Sequence, residues 1–327
     1  MSYILAGDIG GTKTTLAVYE LRHQQRVEVA KQTFVSGQHH TFIELVSEFL
    51  APLAFKISAA AFGIAGPVKQ QRCETTNLPW VIDAHEIAQR FDIATVQLLN
   101  DLEAAAYGVL ELEVFHDLNH KAVPQAGHIA VIAAGTGLGE AILFFDGQMH
   151  HAMPTEGGHC EFAPQDSLQD QLLVYLRARF AGHVSLERIL SGDGFGTLYD
   201  FLKSIDYAPV NSELEAKMAV GDRNAVISLA GLHGSDVLCE KVMALFCSIY
   251  GAEAGNLALK TLPLGGVYIA GGIAPKIRAA LESGLFMHSF LDKGRLSHAI
   301  ETIPVRIVED PEAPLLGAAH CAKGLLN

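Results

Sequence analysis

Positive charge is in short supply. Of 327 residues, 23 are Lys or Arg against 36 Asp or Glu, a formal net charge of −13. With no long basic run, the balance argues against nucleic acid or an anionic membrane surface as the main partner. An anionic ligand such as a nucleotide then has to be held by backbone amides and a metal ion. Cysteine is sparse too: Cys73, Cys160, Cys239, Cys247 and Cys321 are odd in number and form no C-x-x-C pair. That argues against a disulfide framework and a zinc knuckle, and it fits a reducing cytoplasm. The first eight residues lack the basic region and apolar core of a signal peptide. No uncharged run approaches membrane-spanning length, the longest candidates near 129–138 and 262–275 being broken by glycines. A soluble, cytoplasmic protein is expected.

What is present points to a compact α/β protein. Half the residues are hydrophobic, only 18% are charged, and 31 are Gly, so a sizeable core is expected, in two domains or one large one. Residues 3–6 and 14–19 predict strands flanking a glycine turn, and 27–34 a third strand. Phe42, Leu45, Val46, Phe49 and Leu50 fall at helical spacing, so an amphipathic helix is expected over 42–53. Residues 57–64 predict a buried strand, Asp83 opens a helix through Phe91, and Ile93–Leu99 is another buried strand. Connecting material follows at 115–127, then strand 128–134, glycine turn 135–139 and strand 140–145. The chain is mainly helical to residue 260. A strand with a further glycine turn at 266–273, a late strand at 305–308 and a closing helix over 313–325 complete it, that helix packing on the first domain.

Two of these segments resemble each other. Tyr3–Thr12 running into Thr14–Tyr19, and Ile129–Gly139 running into Glu140–Phe145, both read strand, Gly/Thr turn, strand. Such repetition predicts two similar domains, each lending a phosphate-binding hairpin to a shared cleft. Gly7-Asp8-Ile9-Gly10-Gly11-Thr12-Lys13-Thr14 nearly matches a P-loop, but Thr12 stands where the second Gly belongs and a hairpin follows instead of a helix. The turn still offers backbone N–H groups and a hydroxyl to a phosphate. The plainer reading is an ordinary tight hairpin. Asp8 beside it suits a Mg²⁺ held partly through water.

The strand ending at Leu99 runs into Asn100-Asp101 and an Ala-rich helical segment. A carboxylate at the C-terminal end of a buried strand is where α/β proteins place their chemistry; the alternative is that Asp101 caps the helix. Glu156-Gly157-Gly158-His159 sets an acid and an imidazole beside glycines, lacks metal-ligand spacing, and suits hydrogen bonds to a polyol. Its alternative is a loop with a surface Glu and a buried His. Glu187 lies in an amphipathic helical segment, where a solvated ion pair is the plain alternative. The pairs His39-His40 and His150-His151 read as surface.

Taken together, these pieces resemble the bacterial glucokinase family of the hexokinase/actin-like ATPase superfamily. Seven segments occur in family order: Gly7–Thr12, Thr76-Asn77, Asn100-Asp101, Gly135–Gly139, Glu156–His159, Glu187–Gly192 and Ala270–Ile273. The resemblance implies ATP-dependent phosphorylation of glucose at its 6-hydroxyl. By position, Asp101 would be the general base, and Asn77, Asn100, Glu156, His159 and Glu187 would hold the sugar. Asp8 would serve Mg²⁺; Gly10, Gly11, Thr12, Gly135, Thr136 and Gly137 would lie at the phosphates, Gly271 and Gly272 near the adenosine. It also implies a homodimer, a place in glycolysis, and two ribonuclease-H-like (actin-like ATPase) α/β domains around a central cleft. The small one would be residues 1–108 plus 304–327 and the large one 109–303. Lys13-Thr14 is closer to the related repressor/ORF/kinase sugar kinases. That group carries a Cys-rich zinc motif after its Glu-x-Gly-His segment, and none follows His159, so the zinc-free branch is expected. The readings left beside it are a kinase for another hexose, a sugar-sensing regulator that keeps the fold, and an actin- or chaperone-like ATPase.

Overall fold

The computed structural model describes residues 2–22, 25–75 and 77–326; Thr76 of the Thr76-Asn77 segment lies outside the described residues. The chain forms two units: one of residues 1–114, 152–154 and 310–327, the other of residues 115–151 and 155–309.

The first unit is built on a five-stranded sheet of order β3-β2-β1-β4-β8. Its strands are β1 (Ser2–Ile9), β2 (Lys13–Arg22), β3 (Gln25–Val35), β4 (Ile57–Ile64) and β8 (Thr95–Asn100). Short strands β5 (Val68–Lys69), β6 (Arg72–Glu74) and β7 (Val81–Asp83) make a separate small sheet. Along β1 successive residues face opposite ways. Leu5 and Ile9 join a core with Phe42, Phe62 and Trp80, and Ile4 and Ala6 join another with Leu315, Ala318 and Ala322 of the closing helix Ala313–Gly324. Helix α1 (Phe42–Leu50) starts at Thr41, whose hydroxyl accepts from Glu44 N–H while the Glu44 carboxylate accepts from Thr41 N–H. Such a reciprocal cap contributes about 1 kcal/mol.

β1 and β4 are parallel, as are β4 and β8, with Ile9 beside Ile64 and Ile64 beside Asn100. Three strands therefore end level, and Asp8, Asn100 and Asp101 come to one edge of the sheet.

The second unit repeats the plan. Its sheet runs β12-β11-β10-β13-β14-β9, from β9 (His116–Asp117), β10 (Ile129–Ala134), β11 (Leu138–Phe145), the first two residues of β12 (His150–Pro154), β13 (Gly266–Ala270) and β14 (Val305–Ile307). β10 forms an antiparallel hairpin with β11 and pairs parallel with β13, as β1 does with β2 and β4. The 25-residue helix Val237–Thr261 is long and apolar enough by composition to cross a membrane, yet 78% of its 18-residue apolar window is buried. A helix apolar on every side belongs in a core.

Three details differ from the sequence-based expectations. The unit boundaries fall at 114/115 and 309/310, not 108/109 and 303/304. Glu111 is tied to Arg26 and His320, which keeps the end of that segment with the first unit, and β14 pairs with β13, which keeps 305–307 with the second. His39 is no surface residue: its side chain is 12% exposed, packed edge-on against Phe34 and bonded to Glu48. Glu187 sits on a single 3₁₀ turn, Leu186–Arg188, rather than an amphipathic helix.

Candidate active site

In the first unit the group at the edge of the sheet grows from the turn between β1 and β2. Gly10 N–H donates to Lys13 O at 2.9 Å, and Ser36 braces the loop, its N–H donating to Thr12 O and its hydroxyl to Gly10 O. Gly10, Gly11 and Thr12 are thereby fixed with Thr12 exposed. Asn77 lies against them: a Cβ on Gly11 would sit 3.2 Å from the Asn77 Cβ.

Across the edge, α3 (Asp101–Val109), the helix after α2 (Ala84–Phe91), follows β8 directly. Its cap is Asn100, not Asp101. Asn100 Oδ1 accepts from Glu103 N–H at 2.6 Å, and Glu103 Oε2 accepts from Asn100 N–H at 2.9 Å. Asn100's carbonyl oxygen is thus committed to the helix, leaving its amide N–H₂ as the group it can offer a ligand. Asp101 occupies the first helical position, with Leu102 N–H donating to its Oδ1 at 3.0 Å.

The electrostatics tie the two aspartates together. Burial, and next the charge of Asp101, push the Asp8 carboxyl up to about 6. Asp8 and Asp101 are thus two acids at one strand edge whose charges act on each other. That donor set fits a hard divalent cation bound through oxygen.

In the second unit, Gly135 N–H donates to Gly137 O at 2.8 Å and Gly192 N–H donates to Gly135 O at 2.9 Å. The turn is thereby joined to the start of helix Gly192–Ser204, and Thr136 projects into solvent. Gly271 follows β13 with φ +84°, and a side chain there would strike Ala134 O at 2.4 Å. This position needs glycine twice over. Gly272 follows it in the same turn, and Ile273 N–H donates to Ala134 O, so Gly271-Gly272 lies against the foot of the Gly135–Gly137 turn. The Glu156–His159 segment folds over β11, with Thr155 Oγ1 donating to Glu140 O at 2.9 Å and accepting from Gly157 N–H at 3.1 Å. Glu156 and His159 are both exposed.

Glu187 is the residue whose surroundings change its reading most. Its Oε2 accepts from Leu138 N–H at 3.1 Å, and a Cβ on Gly137 would meet that oxygen at 2.3 Å. The carboxylate braces the glycine turn, so at most its other oxygen serves a sugar hydroxyl. Beside Thr136 and Glu187 opens a cavity of about 400 Å³, lined also by Arg188, Asp193, Thr197 and Arg223, a volume typical of small-molecule sites. Arg188 lies within the Glu187–Gly192 segment, but nothing in the local sequence marks Asp193, Thr197 or Arg223 beyond the Gly-Asp-Gly run around Asp193.

Glu187→Ala strips the acceptor from Leu138 N–H, a loss of about 1–3 kcal/mol, or roughly 5- to 150-fold. On the kinase reading expected from the sequence, KM for the nucleotide then rises more than KM for the sugar. A rise confined to the sugar would make Glu187 a sugar ligand alone.

A family model described as glucokinase matches residues 5–325. A glucokinase from Synechocystis is 41% identical, the alignment covering 97% of each chain. One from Trichormus variabilis is 40% identical over 99% of this chain and 100% of that protein. Among solved structures, the glucokinase of an Antarctic psychrotroph superposes with a TM-score of 0.88 at 30% identity, covering 99% of both chains.

Proposed function

Since this chain belongs to the glucokinase family, we propose that Asp101 is the general base of its reaction and that the other groups at these two glycine turns bind the reactants. The reaction is ATP-dependent phosphorylation of glucose to glucose 6-phosphate. The observation that carries the role of Asp101 is that Asn100, one residue earlier, holds the cap of α3. Capping therefore does not account for Asp101.

The chemistry follows. Phosphoryl transfer asks for in-line positioning, neutralised phosphate oxygens and an acceptor for the alcohol proton. As the sugar's 6-oxygen attacks the γ-phosphorus of ATP, its proton passes to a carboxylate oxygen of Asp101 and ADP leaves. Glu156 accepts hydrogen bonds from vicinal hydroxyls, and His159, Asn77 and the Asn100 amide supply further polar contacts. Backbone N–H groups at Gly10–Thr12 and Gly135–Gly137, with the Thr12 and Thr136 hydroxyls, cradle phosphate oxygens. The cavity beside Thr136 takes the rest of the nucleotide, with Arg188 as its basic group, since Arg223 is already paired with Asp200. Gly271-Gly272 leaves the backbone open to the adenosine. Mg²⁺, for which Asp8 is the carboxylate, would neutralise phosphate charge when bound. The resemblance further supports a cytoplasmic homodimer working in glycolysis.

The test is ADP formation from Mg·ATP with glucose, mannose, fructose, galactose or no sugar. Turnover with glucose far above the others is expected. Equal turnover across hexoses would make this a broad hexokinase, and hydrolysis that no sugar stimulates would overturn the sugar-kinase assignment of Asp101.

A further inference from the structure

Beneath the Glu156–His159 turn lie two buried acids that the reaction does not use. Glu140, on β11, is 3% exposed, and Glu253, on helix Val237–Thr261, is 4% exposed. Their side chains are within hydrogen-bonding reach of each other. Glu253 Oε2 accepts from Asn256 Nδ2 at 2.9 Å, but the Oε1 atom of each acid is buried without a hydrogen-bond partner. An orphaned buried oxygen is costly; two, facing one another as carboxylates, are costlier. One proton between them turns both into partners, as O–H···O⁻.

The other groups around the pair offset its charge only in part. Lys260 Nζ stands 3.6 Å from Glu253 Oε1, with a side chain 57% exposed. Lys293 faces Glu253 from beyond the helix, its charged form disfavoured by burial. Tyr250, facing Glu140, has its hydroxyl bonded to Ile132 O and is pushed up by burial. Burial first, and the charge of Glu253 next, push Glu140 up to about 7.

What makes the pair matter is where it sits. A Cβ on Gly157 would come within 2.1 Å of Glu140 Oε2, and one on Gly158 within 1.9 Å of Leu138 O. The turn lies directly on the carboxyl group, with no slack between them.

We propose that Glu140 and Glu253 are positioning residues, a proton-sharing floor that seats the Gly157–His159 turn and so aims Glu156 and His159 at the sugar, and that losing the shared proton displaces the turn and weakens sugar binding. This rests on the assignment of Glu156 and His159 to the sugar. The sign follows from an acid near neutrality. Below pH 7 the pair holds its proton and the turn is seated; above it, two like charges repel beneath the turn that lies on Glu140.

The test is KM for glucose and kcat from pH 6 to pH 8.5 in the intact enzyme and in Glu140→Gln, Glu253→Gln and Glu156→Ala. If only the protonated pair binds sugar, KM rises about tenfold by pH 8, with kcat changing much less. Glu140→Gln, whose amide donates as the protonated acid does, keeps the low KM across the range. Glu253→Gln removes the repulsion from the other side and flattens the profile too, which covers the case of a poorly folding Glu140 variant. A Glu140→Gln or Glu253→Gln enzyme with the parent's rise, or a parent with none, overturns the proposal. Glu156→Ala separates the two readings. An unchanged KM there removes the turn from the sugar site altogether, whereas a raised KM beside an unaltered Glu140→Gln profile leaves the sugar site standing and sinks only the floor.

Discussion

Asp101→Asn lowers kcat by about 10²- to 10⁴-fold, the range for losing a positioned general base, and leaves the Kd for glucose within about threefold. The first half follows from chemistry: the amide is nearly the size of the carboxylate but does not accept the proton of the attacking hydroxyl. The second follows from local structure. Asn100 and Glu103 hold the reciprocal cap of α3, so the helix keeps its start and the sheet edge its shape. Stability therefore moves by less than about 1 kcal/mol. There is also a readout that does not depend on turnover. The charge of Asp101 is the second cause, after burial, of the raised Asp8 carboxyl; in Asp101→Asn that carboxyl titrates lower, still above the usual aspartate range because burial remains. Initial rates, glucose titration and carboxyl-resolved NMR check the three statements. A variant keeping more than a tenth of its kcat would return Asp101 to a structural role.

Much of this was written in local sequence. Hairpins at 7–12 and 135–139, the strand into Asn100-Asp101 and the closing helix all follow from apolar periodicity and glycine placement, because those signals act over a few residues. Division of labour inside the site was less legible. Asn100 and Asp101 are both good capping residues, and only the start of α3 assigns the cap to the first. Glu187 looked like a helical surface charge because its partner, Leu138 N–H, is 49 residues away. Glu140 stood in plain view as an acid within a buried strand, but that it meets Glu253 depends on packing a helix more than a hundred positions later. The unit boundaries shifted for the same reason: Glu111 and β14 are claimed by partners far along the chain.

The second large effect comes from one methyl group placed far from any reactant. Gly108 of α3 and Gly317 of the closing helix interlock: a Cβ on Gly317 would lie 1.8 Å from Ala104 O and 2.6 Å from Gly108 N, and one on Gly108 would lie 1.9 Å from Ala313 O. The two helices touch backbone to backbone, and neither carbonyl can rotate away as a side chain could. Gly317→Ala therefore costs about 1–3 kcal/mol from overpacking, although the same change in an open helix position is favourable by about 1 kcal/mol. Gly324, near the end of the same helix with nothing within 4 Å of its Cβ position, is the internal control; Gly324→Ala leaves Tm level or raises it. Activity should follow stability at the first position and not at the second. α3 bears Asp101 on its first turn, so a helix pushed off its seat carries the base with it, and a displacement near 1 Å costs about 100-fold in rate. Thermal melts and kcat of the two variants, measured together, decide the matter. If Gly317→Ala melts and turns over like the parent, the helices separate without strain, and the seating of α3 is not what aims Asp101.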